Sequence, residues 1–357
     1  KPLAQLERLI DSPLRAFTGQ YVVRENAHFV ETDLPRLSRW IFVPPKMRRH
    51  AKHGDWVRAH ITQHPFKDGK PQACVEAIIG NAEQKGIAAR YSLARFELPE
   101  AAPAIIDGDL EQPDFTTRRD LTALPLITID GADTRDMDDA LHAERTQIDA
   151  DNHGWKLTVA IADPSAWIKA GSKLEQTIAA RGASIYLPGL TVPMLPEQLA
   201  NDKCSLQPEA ERLALICELW IAANGAIARY EFSEARVRSH AKLSYDDATR
   251  LIETGISEEV ETEASDEAPW SASLRELRAL STQLIEQRRR EHIVLPERGE
   301  YRAQLDDNGK VGAYQRQRKT AAHVLVEECM VAANHCAADF LRDQSAIFVS
   351  HRGFRSE

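Results

Sequence analysis

Long apolar runs are missing from this chain. The best of them, residues 213–223, is broken by Glu218, and a bilayer needs about 20 predominantly apolar residues in a row, so no membrane span is expected. Cysteine is scarce: Cys74, Cys204, Cys217, Cys329 and Cys336 are odd in number and form no close pair with metal-ligand spacing, so they read as reduced, packed and cytoplasmic. Glycine and proline are few, at 17 and 18 of 357 residues, which excludes a fibrous repeat or a dominant disordered tract. An initiator Met is absent, and Lys1-Pro2-Leu3-Ala4 lacks the basic-apolar-small order of a secretory leader, so the start reads as trimmed. An excess of positive charge is absent too. A net charge of −9 argues against a protein that coats nucleic acid indiscriminately.

What is present is ordinary globular composition, 28% charged and 43% hydrophobic, in a chain long enough for two domains. The charge is sorted. Lys46, Arg48, Arg49, His50, Lys52 and His53 form one positive segment, and residues 130–139 form a negative one, giving two opposite local fields.

Hydrophobic periodicity divides the chain. Leu3, Leu6, Leu9 and Ile10 suit a small leading helix within residues 1–18. Residues 20–23, 28–30, 40–43, 56–61 and 73–78 are short strand-like runs between turn residues, with His53-Gly54-Asp55 leading into the fourth and Lys67-Asp68-Gly69-Lys70 into the fifth. Five such strands within 19–80 predict a small barrel of the oligonucleotide-binding (OB) type. Residues 81–118 read as a connector with some helix, and a mixed α/β domain is expected over 119–357. It contains strands at 124–129 and 156–162 and long helices at 272–292 and 321–343. Residues 253–268 read as a solvated loop. The fold class is α+β.

The chemistry concentrates in 128–140, where Asp130, Asp133, Asp136, Asp138 and Asp139 place five carboxylates within ten residues. Two carboxylates 4 Å apart repel by roughly 4 kcal/mol at an effective dielectric of 20, so a convergent cluster needs cations. An all-oxygen site suits Mg²⁺ or Mn²⁺, whose remaining positions go to water and substrate phosphate. Two such ions about 4 Å apart serve an in-line displacement at phosphorus. A solvated acidic turn is the commoner meaning of an Asp-rich stretch. Here the stretch follows an apolar strand, contains Met137 and runs into Ala140-Leu141, so it is expected to be held against a core. Acidic positions one, four, seven, nine and ten do not follow the calcium-loop pattern of one, three and five.

Residues 129–140, 159–168, 171–174, 181–189, 193–196, 204–206, 241–246 and 326–334 together resemble the ribonuclease II and ribonuclease R exoribonucleases, block after block and in order. The resemblance implies hydrolytic 3′-to-5′ removal of nucleoside 5′-monophosphates from single-stranded RNA with Mg²⁺. By the same resemblance Asp130, Asp136, Asp138 and Asp139 are the catalytic, metal-holding aspartates. Tyr186 is the tyrosine that stacks near the terminal nucleotide, and Tyr245 and Glu327 are contacts to the terminal RNA. Stacking on an aromatic ring grips RNA without reading sequence, at roughly 1–3 kcal/mol per base. The front barrel, through 40–45, the basic segment and Gly54-Asp55-Trp56-Val57, resembles the family's cold-shock domains, which makes Lys46, Arg48 and Arg49 candidate phosphate contacts. Asp133 and Asp163 carry no assigned catalytic role, and His323 with Glu327, one turn apart, read as a helix-face pair.

The resemblance has gaps. The family pattern continues to a Thr-Ser-Pro-Leu-Arg-Arg-Tyr motif and a further RNA-binding barrel, neither of which follows Glu357. Ser12-Pro13-Leu14-Arg15 lies in the wrong order to replace that motif. Leu295 stands where the family has a second clamping aromatic, and there is room for one front barrel rather than two. The catalytic domain therefore reads as incomplete at its C-terminus. A non-catalytic RNA-binding protein that keeps the fold is the competing reading, although it would gain nothing from a repulsive acidic cluster. A small-nucleotide phosphohydrolase would not need the front barrel. No obligate protein partner is inferred.

Overall fold

The computed structural model describes residues 16–32, 40–64, 70–254, 268–291 and 300–347. The expected leading helix, Ser12 to Arg15, Leu295, residues 67–69 of the expected hairpin and most of the expected 253–268 loop lie outside those residues. The chain divides into two compact units, one comprising 1–102, 183–194 and 301–316, the other 103–182, 195–300 and 317–357. Among the described residues no helix is long and apolar enough to cross a membrane.

In the first unit, β1 (Ala16–Arg24), β2 (Ala27–Glu31), β3 (Trp40–Phe42), β4 (Asp55–Gln63) and β5 (Gln72–Asn81) close a barrel in the order β1-β2-β3-β5-β4. Each expected strand is present. Alternation puts Tyr21, Val30, Ile41, Val57, Ala59, Ala73 and Val75 inside, the period-2 pattern of strands with one buried face. Helix α1 (Ile87–Arg95) follows within the expected connector. The same unit carries two short hairpins, β9 (Ile185–Leu187) with β10 (Leu190–Val192), and β13 (Glu300–Leu305) with β14 (Val311–Gln317).

The second unit is also built on a closed five-stranded barrel, in the order β11-β12-β6-β7-β8. Its strands are β6 (Arg119–Asp130), β7 (Asp139–Gln147), β8 (His153–Ala162), β11 (Glu211–Ala222) and the 18-residue β12 (Ile227–Ser244). Both faces of this sheet are apolar. Ile127, Leu141, Val159 and Leu219 pack toward helices, whereas Leu126, Ala140, Ala160 and Ile216 pack in a second cluster with Met137, Trp167 and Leu174. Strands buried on both faces read as continuous apolar runs, which explains the run at 213–223 that first raised the question of a membrane. Glu218, which interrupts it, is buried and held by Arg119 at 2.6 Å and Lys156 at 2.6 Å. Burial alone would push its carboxyl up, but these two partners outweigh that and keep it below the usual range.

Strand β6 begins five residues before the expected 124. Its register against β12 jumps between Leu121 and Leu126, so Pro125 sits at an irregularity where no ladder hydrogen bond is lost. Helix α2 (Lys173–Arg181) is capped by the Ser172 side chain. Helices α3 (Tyr245–Thr254), α4 (Pro269–Arg290) and α5 (Ala321–Phe340) cover one side of the barrel through Leu274, Leu277, Leu280, Leu325 and Cys329. The two long helices match expectation to within three residues at each end, α4 starting earlier because Pro269 suits its first turn.

Candidate active site

Strand β6 ends at Asp130 and β7 starts at Asp139, so the acidic stretch is the connection between two neighbouring barrel strands. It is held at several points. Met137 is buried, its N–H donates to Ser205 Oγ at 3.1 Å, and its carbonyl accepts from Leu206 N–H at 2.9 Å. Ser205 Oγ in turn donates to the Arg135 carbonyl at 2.7 Å. Lys242 Nζ donates to the Thr134 carbonyl at 2.6 Å, and Ala162 N–H donates to the Asp138 carbonyl at 2.8 Å. A loop tied to three other segments is fixed in shape and is not a solvated turn.

The carboxylates feel one another. Burial, then Asp139, with Asp138 and Asp136 behind it, pushes Asp130 up to about 7 against the opposing pull of Lys242. Burial and Asp138 raise Asp139 to about 6, and burial with Asp136 raises Asp138. Such shifts mark charges crowded together without enough compensation. Asp130 Oδ2 is buried with no hydrogen-bond partner among the described residues. As the side chains stand, no group of three or more His, Cys, Asp and Glu among the described residues is arranged to hold a metal ion. The donor set is nevertheless all oxygen, uncompensated and anchored on rigid strands, and it includes an orphaned acceptor. These residues fit a hard divalent cation. Asp133 and Asp138 are exposed as whole residues, whereas Asp130, Asp136 and Asp139 are half-buried.

Tyr245 follows Ser244, which pairs in register with Asp130. Burial, then the negative charge of Asp130 and Asp139, pushes its hydroxyl up to about 12. Its ring stacks on His323, with centroids 3.8 Å apart and planes 8° from parallel. His323 and Thr320 cap α5 reciprocally, and Thr249 Oγ1 donates to Thr320 Oγ1 at 2.7 Å, tying the middle of α3 to the start of α5. Glu327, one turn further along α5, is half-buried and paired with Lys319 at 2.6 Å. The second unit thus brings together the four aspartates and Tyr245, with His323 and Glu327 on the helix behind.

The remaining candidates belong to the first unit. Tyr186 is 72% exposed on β9. Lys46 is exposed; Arg48 turns its Nε to the Val43 carbonyl at 3.3 Å and Arg49 donates to the Glu76 carbonyl. The same barrel carries an aromatic strip that joins Phe29 to Trp40 and Phe42 of the 40–45 block. Phe29 packs against Trp40 and Phe42, with centroids 6.2 and 6.0 Å away, and Arg24 lies 3.6 Å over Trp40. Ser205 and Lys242 also support the site, and so does His323, expected from its spacing to be a helix-face partner of Glu327 and found stacked on Tyr245.

Residues 118–357 match the RNB domain family and residues 29–103 the cold shock domain family. The chain is 36% identical over 360 residues to Exoribonuclease 2 of Sodalis glossinidius, covering 99% of this chain and 54% of that protein. It is 35% identical over 367 residues to Exoribonuclease 2 of Vibrio cholerae, covering 100% and 53%. The chain spans about half the length of the curated relatives it matches. In fold it is similar to Mycoplasma genitalium RNase R, solved in complex with double-stranded RNA, at a TM-score of 0.80 and 23% identity over 95% of this chain and 60% of that one. It is also similar to yeast Ssd1, a pseudonuclease, at a TM-score of 0.68 and 16% identity over 94% and 42%.

Proposed function

The chain belongs to the ribonuclease II/R family, with an RNB domain and a cold shock domain, and from that membership we propose that it carries the metal-dependent centre of a hydrolytic 3′-to-5′ exoribonuclease. Its substrate is single-stranded RNA and its products are nucleoside 5′-monophosphates. The observation that carries this reading is the pinned acidic loop, with Asp130, Asp136, Asp138 and Asp139 crowded on rigid strand ends and Asp130 Oδ2 left without a partner. Fold alone does not decide the matter, since a nuclease and a pseudonuclease share it. The crowded carboxylates favour turnover, because a pure binder has no use for their repulsion.

Asp130, Asp136, Asp138 and Asp139 would hold Mg²⁺ or Mn²⁺, in a pair, which would supply the positive charge that in-line attack on a phosphodiester needs. Lys242 holds the loop by its carbonyls and damps the repulsion at Asp130. Tyr245, fixed by the His323 stack, and Glu327, fixed by Lys319, orient the terminal nucleotide. Tyr186 stacks a base, and Lys46, Arg48 and Arg49 on the 19–80 barrel hold backbone phosphates, with 119–357 as the catalytic part. Five free cysteines suit a cytoplasmic setting.

The test is incubation with 5′-labelled single-stranded RNA and Mg²⁺, with and without EDTA, beside Asp138→Asn. A ladder shortening from the 3′ end that needs both metal and Asp138 is the expected result. Binding without cleavage, even in the longest form that the gene encodes, would replace this reading with a non-catalytic RNA-binding protein.

A further inference from the structure

The β13–β14 hairpin has no role in the site described above, yet it is the most exposed strand pair in its unit. All seven residues of β14 are exposed, and a two-stranded hairpin is marginal by itself. It is propped at both ends within its own unit. Gly189, at a φ of +73° in the Pro188-Gly189 turn, lies so close to Leu305 that a Cβ there would be 2.5 Å from Leu305 Cδ1. At the other end, a Cβ on Gly309 would meet Lys85 Cγ at 2.7 Å. Tyr301 and Tyr314 are 66% and 70% exposed.

Tyr301 and Leu305 share one face of β13, and with Arg302, Tyr186, Pro188 and Leu190 they line an open cavity of about 750 Å³. This is within the usual range for a ligand site. Charge points to the occupant. Arg302 is the one charged residue among those that line the cavity, and Lys310 and Arg316 are exposed on the same hairpin, with the acidic Asp306 and Asp307 at its turn. Beside Leu187, Pro188, Leu190 and Leu305, which line the cavity, tyrosines and arginines are interleaved with Gln304, Gln315 and Gln317. They supply what single-stranded nucleic acid uses, π-faces for bases and cations for phosphates.

We propose that the β13–β14 hairpin is a second RNA-gripping element, in which Tyr301 stacks a base in the cavity that Tyr186 also lines and Arg302 and Arg316 hold the flanking phosphates. This rests on single-stranded RNA being the substrate. The hairpin and the cavity, unlike the acidic loop, need no metal to act.

The test uses the longest form that the gene encodes, in EDTA, with single-stranded RNA carrying 2-aminopurine at successive positions, whose fluorescence is quenched by stacking. Tyr301→Ala is expected to weaken binding roughly 5- to 150-fold and to relieve quenching at one or two positions, while Tyr301→Phe restores both. Tyr186→Ala combined with Tyr301→Ala should cost less than the product of the two single losses, because both rings line one cavity. Arg302→Ala with Arg316→Ala, both at exposed positions where folding is not at stake, should lower the salt dependence of binding. Unchanged affinity and quenching in Tyr301→Ala, with RNA binding still dependent on Tyr186, would overturn this inference alone; a partner protein covering the hairpin would give that result. Failure of the parent to bind RNA at all would overturn the substrate assignment and this inference with it.

Discussion

The chain contains two five-stranded closed barrels, and each includes one parallel pair, β3 with β5 in the first and β6 with β12 in the second. They differ in what their inter-strand connections carry. In the first, the segment after β3 presents Lys46 and Arg49 to solvent, and Arg49 and His50 adopt the left-handed conformation. In the second, the segment after β6 turns carboxylates toward one another and is fastened through Met137, Ser205, Lys242 and Ala162. Cations for a polyanion can stay hydrated, because screened contacts to phosphate need little organisation. Carboxylates for a metal must be held close against their own repulsion, which requires a buried anchor and longer strands behind it. Under the proposed function, similar barrels would serve gripping and chemistry according to how firmly one connection is tied down.

The comparison breaks most visibly if Asp138 is dispensable. Asp138→Asn is expected to lower cleavage by at least roughly 10²-fold while RNA binding in EDTA stays within a few-fold. Because the neutral amide removes a repulsion that burial and Asp136 impose, the metal-free variant should melt no lower than the parent. A lower melting temperature would mean that Asp138 is a structural residue. Ser205→Ala tests the fastening itself. It leaves the buried Met137 N–H without its acceptor, at a cost of about 1–3 kcal/mol. The expected signature is a fall of a few degrees in Tm with kcat reduced roughly 10- to 100-fold and KM little changed. An intact kcat would show that the loop keeps its shape without this anchor.

Proton linkage sharpens the same contrast. Asp130 at about 7 and Asp139 at about 6 bind protons in the folded, metal-free protein that the unfolded chain, with aspartates near 3.9, has already released. Their contribution to stability is full below about pH 4 and is lost as pH rises through 6 and 7. Metal-free protein should therefore lose stability between pH 5.5 and 8, and Mg²⁺ should raise Tm more at pH 8 than at 5.5. Differential scanning fluorimetry across that range, with Asp130→Asn as control, checks it. Equal Mg²⁺ effects at both pH values would mean that the cation does not bind at these carboxylates.

Much of this was legible in the sequence, and the parts that were not share a physical cause. The first barrel was readable because one buried face gives clean alternation, as in Val57, Ala59 and Ile61. The acidic stretch was readable because repulsive charge beside Met137 demands a reason. Strand β12 was not read as a strand, since Ile227 to Ser244 is interrupted by Arg229, Glu231, Arg236 and Arg238 and has no apolar run. Its place comes from pairing with β11 and β6. The role of Ser205 and the stack of His323 on Tyr245 escaped for another reason. A hydroxyl that bonds a backbone 68 residues away, or an imidazole stacked on a ring 78 positions earlier, leaves no local pattern.

The mildest expected effect lies in the first barrel. Lys46→Ala removes an exposed cation from a connection with no buried anchor of its own, so Tm should not move. If Lys46 meets a phosphate, RNA affinity should fall only a few-fold, equally for all sequences, and the slope of log affinity against log salt should shrink by about 1. Arg48→Ala should behave differently, because its Nε also holds the Val43 carbonyl, so it should lower Tm as well as affinity. Loss of affinity in both variants with loss of Tm only in Arg48→Ala would establish that this connection grips by charge alone. If Lys46→Ala binds RNA with an unchanged salt slope, the positive segment is a solvated loop, and the aromatic strip of Phe29, Trp40 and Phe42 becomes the face to mutate next.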